Sequence, residues 1–225
     1  MGAKTVKINH EKKLEQDIYD AHCQHLMILD LDRSSDRLEQ LVGVYRILTQ
    51  KGADAAGGFY SATEFDLDPL LKSGRTLLEL GRSCLRKSYR GGSAMFYLWQ
   101  GLSTLIVKED AEILFGSASF KGTNISALVQ PLSLLHEEYL TAINLRPKVL
   151  PQAYVSLNQL EKSQIERLTA LKAMPALIKA YLRLGGGVAD GAFIDQNFNT
   201  TDVCMVLDIK KMSSRQKSIY FRKLK

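Results

Sequence analysis

The chain has 225 residues, 45% of them hydrophobic and 24% charged, the balance of an ordinary globular protein long enough to bury a real core. No uninterrupted apolar run reaches the ~18–20 residues that a membrane-spanning helix needs, and no signal-peptide pattern opens the chain, so a cytoplasmic protein is expected. The net charge of +6 is uneven: residues 210–225 hold seven Lys or Arg and no acid, which leaves the body nearly neutral and argues against a nucleic-acid binder.

In chain order, "HLMILD" (His25–Asp30) and "LVGVYRILT" (Leu41–Thr49) read as two strands joined by a polar turn. "GADAAGGFYSATEFDLDPLL" reads as a glycine-rich loop with a short helical piece, capped by Ser61 or Thr63 and broken at Pro69. A third strand spans Thr76–Leu85. Met95, Leu98, Trp99, Leu102, Leu105 and Ile106 recur at helical spacing, so a helix follows, with Ser93 as its N-cap. "EILFGSASF" (Glu112–Phe120) completes a βαβ unit, whose two strands are expected to pair in parallel.

From Pro131 a second helix places Leu132, Leu135, His136, Tyr139 and Ile143 on one face. "MPALIKAYLRLGGG" is a third, stopped by glycine, and "VADGAFID" and "VCMVLDI" read as closing strands. "NFNTTDVC" has the side chains of an Asx or Ser/Thr turn. The expectation is one mixed α/β domain over 1–209 with a basic tail over 210–225. That tail could form a short amphipathic helix from a serine cap, with Ile219, Tyr220 and Leu224 on one side, suited to an anionic membrane or an acidic partner. The three cysteines (Cys23, Cys84, Cys204) lie far apart in apolar segments and read as buried free thiols. His22 and His25 lack a third nearby ligand, so no metal site is expected.

Chemistry concentrates in "ELGRSCLRKSYRGG" (Glu79–Gly92). A basic turn with two glycines that opens a helix favours an anion such as phosphate, because the first backbone N–H groups of the helix are unpaired. It lacks the Gly-Lys-Ser/Thr of a Walker loop and the spacing of a dinucleotide fingerprint. Strict alternation would put Glu79 and Arg82 on opposite faces, but Gly81 between them suggests a bulge that re-aims the side chains. Glu79 beside the turn could take a proton from an attacking amine, or Glu79 and Arg82 could form a structural ion pair.

The blocks "HCQHLMILD", "LVGVYRILT", "GGFYSATEFDLDPLL", "ELGRSCLRKSYRGG", "LFGSASF" and "VADGAFIDQNFNTTDVCMVLDI" together resemble the ornithine–acyl-carrier-protein N-acyltransferases, some of them labelled hemolysin-like. The resemblance runs over almost the whole chain, in the family's order. It implies an α/β (α+β) GNAT-type acyltransferase fold, related to the acyl-homoserine-lactone synthases. It also implies transfer of a 3-hydroxyacyl group from acyl-carrier protein to the α-amine of ornithine, giving lyso-ornithine lipid.

Carried over by the resemblance, Tyr89, Arg90, Gly91 and Gly92 would hold the phosphate of the carrier's 4′-phosphopantetheine, with Arg82 and Ser83 along the thioester and Glu79 as base. No permanently bound cofactor is implied. Cys84 has no His partner in its sequence context and is not expected to be a nucleophile. Family members begin with an extra strand and helix, which this chain is expected to lack. They also tend to carry an acid where Gln24 stands. Gln24 and Asp20 are therefore the expected amine-site residues, and glycine, glutamine or lysine stays open as acceptor. An impaired GNAT-like binding protein and a membrane-associated, hemolysin-like interaction protein are the remaining alternatives.

Overall fold

The computed structural model describes residues 8–9 and 14–220. Eight strands form the main sheet: β1 Gln24–Leu29, β2 Leu41–Thr49, β3 Leu77–Leu85, β4 Ile113–Lys121, β5 Tyr154–Val155, β6 Gly187–Val188, β7 Ala192–Asp195 and β8 Thr200–Asp208. Their spatial order is β1-β2-β3-β4-β8-β7-β5, with β6 also paired to β8. The helices are α1 Gln50–Ala56, α2 Ala94–Lys108, α3 Val129–Tyr139, α4 Arg167–Ala173, α5 Ala176–Arg183 and α6 Ser214–Tyr220, besides shorter turns.

Alternation along the strands sorts the core into two layers. Leu78, Leu80, Leu114, Val203 and Met205 pack with Leu98 and Leu102 of α2. On the other face Leu77, Ile113, Phe115, Cys204 and Val206 pack with Phe59, Phe65 and Leu70. Being covered on both sides, β8 is buried from Thr200 to Leu207, which is why its sequence reads as a nearly continuous apolar run. It pairs with β4 in antiparallel register from Thr200↔Lys121 to Asp208↔Ile113. Truncating a fully buried leucine here, such as Leu98 or Leu102, would cost about 2–5 kcal/mol.

The βαβ unit forms as expected: β3 and β4 are parallel, joined by α2. Several expectations are corrected. The stretch read as loop from residue 52 opens as α1, because the Thr49 hydroxyl accepts the Gly52 N–H and Gly57, at φ +87°, ends the helix in a left-handed turn. Pro69 starts a single helical turn, Asp68–Leu71, rather than breaking one, as suits a residue whose missing N–H is not needed there. Ile143 is 82% exposed because α3 ends at Tyr139, and His136 is only half-buried. Cys204 is buried as expected, but Cys23 is half-buried and Cys84 exposed.

Within the expected tail, Ser213 and Gln216 form a reciprocal cap on α6: each backbone N–H donates to the other's side chain. Gln216 Nε2 also donates to the Arg183 carbonyl at the end of α5, at 2.8 Å, so the start of the tail docks on the body. The side chains of Ile219 and Tyr220, and all of Leu224, lie outside the described residues.

Candidate active site

The sheet parts in its middle. On one side β3 pairs with β2 along its length, but on the other it pairs with β4 only at Leu77↔Ile113, Leu78↔Leu114 and Glu79↔Phe115. Beyond Glu79 the two strands diverge, and the β4-facing edge of Leu80–Leu85 has no strand partner among the described residues. The parting begins at Gly116 of β4, where an added Cβ would stand 2.1 Å from the Leu80 carbonyl oxygen. Only a residue without a side chain passes there. Gly116→Ala is therefore expected to lower stability by about 1–3 kcal/mol, read as a falling urea midpoint, because backbone must move to admit the methyl. An unchanged midpoint would contradict this reading of the split.

A cavity of about 320 Å³ fills the opening. Glu79, 3% exposed, lies on its wall at the last paired position. One carboxylate oxygen accepts the Tyr60 N–H at 2.8 Å and the other the Ser61 N–H at 2.6 Å, so Glu79 caps the 3₁₀ turn Tyr60–Thr63 in place of the cap expected from Ser61 or Thr63. Burial raises its pKa, and the Ser61 and Tyr60 hydrogen bonds and the Arg46 charge only partly offset that.

The bulge lies one residue beyond Gly81. Arg46 pairs with Gly81 and Val44 with Cys84, so Arg82 and Ser83 together stand opposite Tyr45. Arg82 takes φ +51°, a left-handed conformation that breaks the alternation. Its guanidinium reaches Asp17 at 3.1 Å and lies over the Tyr60 and Phe198 rings. Arg82 is thus not paired with Glu79. Asp17 also accepts from Arg46 at 2.7 Å and 2.8 Å, and Asp20 accepts from Arg46 at 2.9 Å. Burial alone would raise the Asp17 pKa, but the two guanidiniums outweigh it and hold it below its usual value.

The remaining expected residues fall into two places. Gly81, Arg82 and Ser83 line the cavity. Tyr89, Arg90, Gly91 and Gly92 lie past the end of β3 in the turn that opens α2. There the Tyr89 hydroxyl bonds Asp30, Arg90 Nε donates to the Leu85 carbonyl at 3.1 Å, and Gly91 has φ +81°. Ser93 stands at the N-cap position with helical dihedrals and no side-chain cap, which leaves the helix N-terminus without the expected hydroxyl partner. Asp20 and Gln24 do not line the cavity: Asp20 serves Arg46, and Gln24 donates to Glu109 at 3.2 Å.

The cavity also holds three carboxylates that sequence reasoning did not single out. Glu64, Asp195 and Asp202 each place an oxygen within 4.8 Å of the others. Burial first, then the Asp202 charge, pushes the Glu64 pKa up to about 8, although the Ser117 hydroxyl donates to it at 2.6 Å. Burial likewise pushes Asp202 up to about 6. Asp195 is oriented by an Asx turn, accepting from Asn197 N at 2.7 Å and Phe198 N at 3.0 Å. Cys23, the one cysteine on the cavity wall, is pushed up to about 11 by burial and is no thiolate at neutral pH.

Residues 1–100 match the family model described as an acetyltransferase (GNAT) domain, and the chain is an acyltransferase of this class, built on a mixed sheet flanked by helices. Across all but one of its residues it is 44% identical to an L-ornithine Nα-acyltransferase of Rhodobacter capsulatus, covering 86% of that protein. An L-ornithine Nα-acyltransferase of Brucella abortus is 38% identical over 98% of this chain and 79% of its own length. The chain belongs to the L-ornithine Nα-acyltransferase family. Among solved structures, a CoA-dependent acyl-homoserine lactone synthase with SAM and isopentyl-CoA is 10% identical, covering 95% of this chain and 70% of that one at a TM-score of 0.45.

Proposed function

We propose that this chain transfers a 3-hydroxyacyl group from the 4′-phosphopantetheine thioester of acyl-carrier protein to the α-amine of ornithine. The observation that carries this reading is the parted sheet, with a buried carboxylate at the point of parting. An extended thioester arm needs a strand edge that no other strand covers, and among the described residues Leu80–Leu85 presents one toward β4. The uncapped start of α2 and the Arg90-Gly91-Gly92 turn stand at the far end of that edge, suited to the arm's phosphate. The N–H groups of the Arg82–Ser83 bulge are suited to polarise the thioester carbonyl.

In this reading the α-ammonium gives one proton to Glu79, directly or through a water. The amine nitrogen then attacks the carbonyl carbon, the C–N bond forms, and the C–S bond breaks. The second amine proton leaves with the thiolate as carrier thiol. No covalent acyl-enzyme is needed. Arg46 and Arg82, on the cavity wall and paired with Asp17 and Asp20, are suited to contact the substrate carboxylate. Three acids in the cavity favour a diamino acid, ornithine or lysine, over glycine or glutamine, the neutral acceptors the sequence left open. The basic residues of α6, Arg215 and Lys217, support a peripheral contact with anionic membrane, where the product must go. No helix among the described residues is long and apolar enough to cross a membrane.

The test is purified chain with 3-hydroxyacyl-carrier protein, or the same acyl group on CoA, against a panel of amino acids, following thiol release. Release that requires ornithine and prefers the carrier donor is expected. Release that ignores the amino acid would overturn the reading.

A further inference from the structure

We infer that Glu64, Asp195 and Asp202, with the Thr200 hydroxyl, form the pocket that receives the side-chain ammonium of the acceptor and so select a basic amino acid. The inference rests on the ornithine reading above and adds the residues that would make the choice.

The three acids come from separate segments. Glu64 follows the 3₁₀ turn capped by Glu79, Asp195 ends β7, and Asp202 lies in β8. All three line the cavity that contains Glu79, so a ligand held by them keeps its other end within the same space. Acid clustering alone would prove little. The second observation is that two buried polar atoms on residues lining this cavity have no hydrogen-bond partner among the described residues: Asp202 Oδ1, on a residue 5% exposed, and Thr200 Oγ1, on a residue 3% exposed. The Ser119 and Thr200 hydroxyls lie close enough to Asp202 to temper its pKa, but neither satisfies that oxygen.

Buried polar atoms are almost always paired, so unpaired ones on residues that line a cavity point to a missing donor. An alkylammonium brings three N–H donors and one positive charge. Asp202 Oδ1, Thr200 Oγ1 and an oxygen of Asp195 or Glu64 supply three acceptors and more than enough negative charge. Asp195 is already held in place by its Asx turn, and Glu64 by Ser117, so the pocket is ordered before the ligand arrives. A neutral side chain of the same length would leave these acceptors unpaired, and a site built around a hydrogen-bonded group rejects analogues that lack it.

The experiment measures KM and kcat for ornithine and for norvaline, which is ornithine without its side-chain amine, in the wild type, Asp202→Asn and Thr200→Val. Calorimetric titration of ornithine into each folded protein reads binding without turnover. Expected are a rise of roughly 30-fold or more in the ornithine KM and Kd of Asp202→Asn, a smaller rise for Thr200→Val, and an unchanged norvaline KM. Equal losses for both substrates, or an unchanged ornithine Kd in folded Asp202→Asn, would overturn the inference. So would tight binding of Mg²⁺ or Ca²⁺ alone that Asp202→Asn abolishes, since it would make the acids a metal site. A wild-type enzyme that acylates norvaline as well as ornithine sinks the pocket but keeps the acyltransferase. A wild type that acylates neither sinks the parent reading.

Discussion

Glu79→Gln lowers kcat by about 10²–10⁴-fold, the usual worth of a positioned general base, while KM for both substrates changes little. The carboxamide keeps the shape of the side chain but cannot take a proton. The substitution also disturbs the Tyr60–Thr63 turn, because both carboxylate oxygens accept a backbone N–H and an amide has only one accepting oxygen. One N–H of Tyr60 or Ser61 is left facing an NH₂ group, at a cost of about 1–3 kcal/mol. Activity must therefore be measured on variant shown by circular dichroism to be folded, well below its melting temperature. If Glu79 only capped the turn, the folded variant would keep wild-type kcat at neutral pH, and that result would remove Glu79 from the chemistry.

The second large effect is on stability against pH. Glu64 is buried beside Asp202, and its pKa stands at about 8 against 4.5 for the free side chain. The folded chain therefore holds a proton that the unfolded chain releases above the lower value. Between these two pKa values the native state binds more protons, so stability falls as pH rises from about 4.5 to about 8, and levels off above. Asp202 adds a loss of the same sign over a shorter range, up to about 6. Glu64→Gln keeps the volume and an oxygen for the Ser117 hydroxyl but carries no proton to lose. The variant should gain on the wild type as pH rises, the difference between them changing by an amount on the order of a few kcal/mol between pH 5 and pH 8. Urea unfolding at pH 5, 6, 7 and 8 measures the difference, and parallel curves for the two proteins would contradict it.

Local pattern made much of this fold legible. The run Leu41–Thr49, the apolar stripe of α2 and the parallel β3–β4 pair all follow from periodicity over a few residues. Gly81 pointed correctly to an irregularity, but the left-handed residue is its neighbour Arg82. A glycine in a strand marks where backbone departs from the pleat without fixing which residue turns. The first turns of α1 were hidden because "GADAAGG" reads as flexible chain; the cap that starts the helix is the last residue of the preceding strand, Thr49.

The site was legible only in part. Glu79 stands out as a charge inside an apolar strand. The partners that define its surroundings lie far away in sequence, and no short-range spacing betrays them. Asp17 meets Arg82 across 65 positions. Glu64, Asp195 and Asp202 meet only because β8 is inserted beside β4 and the 3₁₀ turn folds over the split. Asp20 and Gln24 do not line the cavity. They are polar residues near a strand start, but their side chains are taken up by Arg46 and Glu109.

The most direct measurement of the central claim is the position of the acyl group on the product. The wild-type chain, given 3-hydroxyacyl-carrier protein and ornithine labelled with ¹⁵N at the α position, should yield a product whose tandem mass spectrum places the acyl group on the labelled nitrogen. The side-chain ammonium would then lie among the acids and the α-amine beside Glu79. Acylation of the unlabelled side-chain nitrogen, or release of free 3-hydroxy acid with no amide formed, would contradict it.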